Sequence, residues 1–350
     1  LQVRGLDDLV GPDRQRFQAA FSRDPVGGPG QFPSPLLMVH VLGHLVSIPN
    51  IRYGSHMKPA PFEYFAPTTL DEALDLLTSC GEEGRVLAGG QSLAALMNLR
   101  LAQPQSLIDL NGVGELAGIR CDADVVTVGA MTRQRAVERS DEVAGRLPLL
   151  VDALGHVGHF QIRNRGTLGG SICHADQAAE LPAVLLVCDG WVEARSVRGT
   201  RRIVAAEFFV GPFSTSLQPD EIVTSVSFPT PAPGTGWSFQ EVARRHGDFA
   251  VAGVTALVRM SGRRIEHSAL AAIGVDTRPV RLPAVEQILA GNEYSDALRE
   301  QAVATVQAAI QPTGDVHASA ETKRHLAGVL VRRALDEAVS RANGTEGQEQ

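Results

Sequence analysis

Gln161-Ile162-Arg163-Asn164-Arg165-Gly166-Thr167-Leu168-Gly169-Gly170-Ser171 is the run on which the reading of this chain turns. It interleaves three glycines with two hydroxyls and two arginines. Glycine has no Cβ, so backbone N–H groups can come close to an anion. Hydroxyl and guanidinium donors complete such a nest. A diphosphate is the anion that this donor set would surround; the competing reading is a solvated basic loop. Upstream, Ala88-Gly89-Gly90-Gln91-Ser92 has the same character, following a predicted strand, 85–88, and opening a predicted helix, 92–101. It is neither a Walker A loop, since no Gly-Lys-Ser/Thr follows, nor the GxGxxG of a dinucleotide fold. By itself it also reads as a plain tight turn. Two such turns in one chain predict a shared anion site.

The surrounding pattern is mixed. Thr69-Leu70-Asp71-Glu72 fits a capping box, Leu70, Ala73, Leu74 and Leu77 form one helical stripe, and Gly81 ends it. Strands are predicted at 106–110, 125–128, 191–195, 201–204 and 222–228. A helix capped by Thr132 is predicted through Glu138, with further helices over 148–157 and 181–187, and a polar glycine-rich segment spans 158–170. Pro229 to Gly236 (PTPAPGTG) reads as a linker. Beyond it, 251–260 and 264–273 alternate around Ser261-Gly262-Arg263 as an antiparallel hairpin, and helical patterns occupy 283–289, 295–310 and 321–340.

The 350 residues predict two or three domains. A net charge of −7, with arginines scattered rather than banded, argues against nucleic acid as a partner. Cys80, Cys121, Cys173 and Cys188 form no CxxC pair, so no zinc or iron–sulfur centre is expected from this chain alone. They suit a reducing cytoplasm. No membrane span is predicted, since a span needs about 20 apolar residues and the best candidate, 36–48, is short and interrupted by His40 and His44. Residues 1–56 differ in texture from the remainder of the chain and end in Gly54-Ser55-His56 before Met57. They read as a non-native leader, either a tag remnant or an over-extended reading frame, with a genuine extension as the alternative. The natural start is placed at Met57.

After the second glycine run comes Cys173-His174-Ala175-Asp176, then Glu180-Leu181-Pro182. A carboxylate here suits hydrogen bonding to ribityl or ribose hydroxyls. His174 reads more readily as a structural histidine than as a proton carrier. Neither a Ser-His-Asp set nor an HExxH helix is apparent.

From Met57 to about Val339 the chain resembles the FAD-binding medium subunit of carbon monoxide dehydrogenase and related molybdenum hydroxylases, with the equivalent domain of xanthine dehydrogenases. The matching runs are Phe62-Glu63-Tyr64 with Pro67, AGGQSL (88–93), and Leu99-Arg100-Leu101 before Pro104. QIRNRGTLGGS (161–171), AELPA (179–183), and Arg244-Arg245 with Gly247-Asp248-Phe249-Ala250 complete them. The resemblance implies an α+β fold: a two-lobed FAD-binding domain of the vanillyl-alcohol oxidase and p-cresol methylhydroxylase type over 57–230, and a smaller α+β C-terminal domain over 236–340. Residues 341–350 are expected to fray. By motif, Val86, Leu87, Ala88, Gly89, Gly90, Gln91, Ser92 and Leu93 should wrap the FAD diphosphate from one side. Thr167, Leu168, Gly169, Gly170 and Ser171 (Ser171 in place of a common Asn) should do so from the other. Asp176 and Glu180 belong to the sugar region, and Val157 and Val223 line the flavin. Gln240 stands where several relatives carry a lysine near it.

No catalytic or metal-binding residue is expected in this chain. The resemblance implies electron relay from [2Fe–2S] clusters in a small partner subunit, through FAD, to an external acceptor. Substrate is hydroxylated at a molybdopterin cofactor in a large subunit, the whole being a dimer of heterotrimers. The rival readings are a stand-alone FAD oxidase or dehydrogenase of the same fold and a non-catalytic assembly subunit.

Overall fold

The structure, a computed structural model, describes residues 57–346 together with two paired strands, Val39–Val41 and His44–Val46. The reading of 1–56 as a leader otherwise lies outside the described residues.

The first lobe is a small parallel sheet. Strand β1 (Glu63–Phe65) leads into helix α1 (Leu70–Cys80), then strand β2 (Gly84–Leu87), helix α2 (Leu93–Asn98) and strand β3 (Ser106–Asp109), with β3 central. The predicted cap holds with a one-residue shift. The Thr69 hydroxyl accepts from the Glu72 N–H, while the Glu72 carboxylate accepts from the Thr68 N–H at 2.9 Å. Leu70, Ala73, Leu74 and Leu77 are buried, and Gly81 closes the helix at φ +56°.

The second lobe is a five-stranded antiparallel sheet. It orders β4 (Ile119–Cys121), β5 (Val125–Gly129), β8 (Ile222–Pro229), β6 (Trp191–Ser196) and β7 (Gly199–Val204). Between β5 and β6 runs a helical layer: α3 (Gln134–Glu138), α4 (Asp141–Arg146), α5 (Pro148–His156), α6 (Phe160–Arg165), α7 (Leu168–His174) and α8 (Glu180–Val187). Thr132 does not cap α3. Its hydroxyl bonds to both the N–H and the carbonyl of Gly118, and α3 starts one residue later from Arg133, without a side-chain cap.

The C-terminal domain is a four-stranded antiparallel sheet of β9 (Thr235–Ala243), β10 (Ala250–Ser261), β11 (Arg264–Ile273) and β12 (Val280–Arg281), backed by α9 (Pro283–Leu289), α10 (Asp296–Ala309) and α11 (Ala320–Glu346). Both faces of this sheet are covered. Ala269, Ala271 and Ile273 of β11 join the core of the first two lobes, while Leu270 and Ala272 join the core under α9–α11. Burial along β10 is therefore nearly continuous rather than alternating.

Strand β9 has no counterpart among the predicted strands. Its inward polar residues hide it: Ser238 and Gln240 bond to one carboxylate, Glu337 of α11, at 2.5 and 2.7 Å. The frayed tail is corrected in part, since α11 runs on through Glu346. The Arg341 guanidinium lies 3.5 Å over the Trp237 ring and donates to the Trp237 carbonyl at 2.7 Å, and Ala342 is buried. Residues 347–350 lie outside the described residues.

Candidate cofactor-binding site

The first glycine turn forms where β2 runs out. Leu87 is the last residue paired to β3, and the chain reverses through Gly89 and Gly90. Gly90 sits at φ +74°, where a Cβ costs roughly 1–2 kcal/mol. Gly89 is required for a different reason. A Cβ there would stand 2.3 Å from the Arg165 carbonyl oxygen and 2.8 Å from Gly166 Cα. The two glycine-rich segments thus touch backbone to backbone. Among the described residues, the N–H groups of Gly89, Gly90, Gln91 and Ser92 find no backbone acceptor.

The second segment is not an open loop. It is two short helices, α6 and α7, broken at Gly166-Thr167. Thr167 caps α7, its hydroxyl accepting the Gly170 N–H at 3.0 Å. The amides of Leu168 and Gly169 are committed to the carbonyls of Thr132 and Ala130, both at 3.0 Å, and that of Ser171 to Thr167 at 3.2 Å. A Cβ on Gly169 would meet Ala130 at 2.6 Å, so this glycine serves packing. Nor is Arg163 a free anion donor. It is buried, forked onto Glu138 at 2.9 and 3.1 Å and donating to the carbonyls of Val157 and Gly158.

The turns face one cleft with about 1130 Å³ of empty space, part of it open to solvent. Of the residues expected there, Val86, Ala88, Gly89, Gly90, Gln91, Ser92, Leu93, Val157, Thr167, Gly170, Ser171, Asp176 and Glu180 line it. Five do not. Leu87 ends its strand beside the turn, Leu168 and Gly169 pack into the core, and Val223 is fully buried in β8 opposite Ala194. Gln240 is turned toward α11 and Glu337. Strand alternation sets this orientation: its neighbour Glu241 faces the first two lobes and pairs with His156 Nδ1 at 3.1 Å.

The cleft also gathers residues that sequence reading does not place there. Gln134 and Ile162 line it, as does the segment Gly247-Asp248-Phe249 from the C-terminal domain. That segment stands out in the sequence only as a family motif. Gln134 lies in no glycine run and carries no signal of its own.

The floor of the cleft holds buried polar atoms without partners among the described residues: Gln134 Oε1, His174 Nδ1 and Asp176 Oδ2. Burial lowers the His174 pKa to about 4, so its imidazole is neutral near pH 7. Burial raises the Asp176 pKa to about 6, against a hydrogen bond from the Ala178 N–H. Burial first, and the charge of Glu241 second, push Glu180 up to about 8. Each orphaned group costs about 1–3 kcal/mol unless a ligand satisfies it. An FAD fits this donor set. Free amides at the first turn suit a diphosphate, buried carboxyls suit sugar hydroxyls, and Val86, Val157 and Ile162 offer apolar contact to a ring. Among the described residues no cluster of His, Cys, Asp or Glu could hold a metal ion.

The fold and the cleft define a flavoprotein of the molybdenum hydroxylase class. Residues 60–231 match the FAD binding domain in molybdopterin dehydrogenase, and residues 237–338 match the CO dehydrogenase flavoprotein C-terminal domain. The chain belongs to this family of FAD-binding medium subunits. It is 41% identical to the nicotine 6-hydroxylase medium subunit of Paenarthrobacter nicotinovorans, over 81% of this chain and 100% of that one. Caffeine dehydrogenase subunit beta of a Pseudomonas species is 37% identical, over 81% and 97%. Among solved structures, the carbon monoxide dehydrogenase of Hydrogenophaga pseudoflava superposes with a TM-score of 0.79 at 37% identity, over 81% of this chain and 99% of that chain.

Proposed function

We propose that this chain is the flavin-bearing subunit of a molybdenum hydroxylase. It accepts electrons from [2Fe–2S] clusters of a small partner subunit and passes them through FAD to an external acceptor. Substrate is hydroxylated at the molybdopterin cofactor of a large partner subunit. The observation that carries the reading is the convergence of both glycine turns on one cleft whose floor holds orphaned polar groups. When bound, the flavin supplies the redox chemistry; the protein supplies position, electrostatics and access. The first turn offers amides, the neutral His174 and the buried carboxyls of Asp176 and Glu180 offer hydrogen bonds, and the Gly247–Phe249 segment narrows the mouth.

Two finer statements belong to the same proposal: the assembly is a dimer of heterotrimers, and it resides in the cytoplasm. The free cysteines, two of them buried, suit a reducing compartment, and among the described residues no helix is long and apolar enough to cross a membrane.

The test is spectroscopic. The purified chain, desalted, should retain stoichiometric FAD and show a bound-flavin spectrum. The flavin should be reduced by the iron–sulfur subunit and not by small organic substrates. A colourless chain that cannot be loaded with FAD would support an assembly role instead. Direct reduction by an organic substrate would make it a stand-alone dehydrogenase.

A further inference from the structure

We infer that Asn111 and Arg133 are positioning residues that brace the two glycine-rich turns against each other and orient the Gly89 amide into the cleft. Neither residue lines the cleft. Asn111 follows β3, in a short turn at Leu110–Gly112. Its Nδ2 donates to the carbonyl of Ala88, the residue before the first glycine pair, at 2.9 Å. Its Oδ1 accepts from Arg133 Nη2 at 2.6 Å, and Arg133 Nη1 donates to the carbonyl of Arg165, the residue before Gly166. One amide and one guanidinium thus link the last carbonyl ahead of each turn.

The geometry has two consequences. In a trans peptide the C=O and the following N–H point in opposite directions. Holding the Ala88 carbonyl on Asn111 therefore turns the Gly89 N–H the other way, and Gly89 lines the cleft with its amide free of any backbone acceptor among the described residues. Holding the Arg165 carbonyl on Arg133 sets how far that oxygen stands from Gly89, where the turns meet. The Gln134 N–H adds a backbone bond to the Gly166 carbonyl at 2.9 Å, and Arg133 bridges Thr167.

Position 111 requires a group that donates at one end and accepts at the other, which among short side chains only asparagine does. Asp109 fixes its rotamer, accepting from the Asn111 backbone N–H at 2.9 Å and from Nδ2 at 2.5 Å. Asp109 is itself held by the Tyr64 hydroxyl at 2.6 Å. An aspartate at 111 would still accept from Arg133 but would set a carboxylate oxygen against the Ala88 carbonyl.

This inference rests on the FAD reading, and its test separates the two. Flavin-free full-length chain is titrated with FAD, with ADP (diphosphate without the flavin ring) and with riboflavin (ring without the diphosphate), while Tm is followed in parallel. Asn111→Asp and Arg133→Ala should each weaken FAD and ADP about tenfold, a factor typical of one misplaced hydrogen-bonding group. Riboflavin binding should be unchanged. The double variant should lose little more than either single one, because both break one brace. If Arg133→Ala fails to fold, Arg133→Lys and the near-isosteric Asn111→Asp serve in its place. Unchanged FAD affinity in Asn111→Asp, or riboflavin weakened in step with FAD, would overturn the brace. A wild-type chain that binds neither FAD nor ADP would overturn the cofactor reading, and the brace with it.

Discussion

Ala88–Ser92 and Thr167–Ser171 resemble each other in composition and bound the same cleft, yet they are built in opposite ways. The first follows a parallel strand and, among the described residues, leaves a run of four N–H groups without a backbone acceptor. The second is the start of a helix, and its amides from Leu168 to Ser171 are already bonded, to the carbonyls of Thr132, Ala130 and Thr167 and to the Thr167 hydroxyl. Its Gly169 lets α7 press on Ala130, and its Gly170 lies against the Thr167 hydroxyl. A double glycine can therefore present donors or simply remove bulk, and composition alone does not separate the two uses.

The sharpest way to break this contrast is to add a methyl group to each turn. Gly89→Ala drives a Cβ into the Arg165 carbonyl, and overpacking of this kind costs about 1–3 kcal/mol or more, up to roughly a hundredfold in Kd. It should strip FAD on desalting, measured as the flavin-to-protein absorbance ratio. Gly169→Ala meets the Ala130 backbone instead. It should lower Tm by roughly 2–4 °C for each kcal/mol lost, while FAD affinity measured well below Tm stays within about threefold of wild type. Equal loss of FAD in both variants would show the turns to be equivalent.

A medium effect concerns the cleft floor and pH. Glu180 titrates near 8 when folded against an ordinary 4.5, so the folded state holds its proton longer than the unfolded chain does. The pH-dependent cost of burying it is absent below about pH 4.5 and grows to full size above about pH 8. Asp176 adds the same sign between 3.8 and about 6, and His174 the opposite sign between about 4 and 6.5. From pH 6.5 to 8 Glu180 is left alone among these three. Outside them, His156 has its pKa raised chiefly by Glu241, and its contribution is likewise lost as pH rises. Comparing Glu180→Gln with wild type isolates the carboxyl. The flavin-free variant should lack a fall in stability of up to about 1.4 kcal/mol per pH unit over that window, read from urea midpoints. Parallel profiles would remove Glu180 as the titrating group.

The smallest effect compares the two hydroxyls at the helix starts. Thr167 caps α7 through its side chain, whereas Ser92 makes no such bond. Thr167→Ala should cost about 1 kcal/mol of stability, and Ser92→Ala should stay within about 0.5 kcal/mol. Scanning calorimetry on the flavin-free chain distinguishes them.

Much of the first lobe was legible because its signals are local. Thr69, Glu72 and Gly81 bound a helix whatever surrounds it, and Leu87-Ala88-Gly89-Gly90 marks a strand running into a turn. The hairpin around Gly262 was legible for the same reason. Strand β9 was not, since Ser238 and Gln240 are polar in an interior that Glu337, far along the chain, makes hospitable. Gln240 lies on the same strand, bonded to Glu337, where a step of one residue exchanges the face toward the first two lobes for the face toward α11. Arg163 reads as a free cation in the sequence because Glu138, its partner, lies outside the motif. Asn111 and Arg133 carry no pattern at all; they acquire meaning only when the carbonyls of Ala88 and Arg165 are brought side by side.

The C-terminal sheet, packed on both sides, changes what the proline-rich connection at 229–236 can be. That stretch has the makings of a hinge, yet Trp237 and Phe239 directly beyond it are sunk into the neighbouring lobes. The same sheet also contributes Gly247–Phe249 to the rim of the cleft. Swinging one half of the chain away from the other would mean peeling apart a shared interior. The connection is therefore a seam between two halves that share a core.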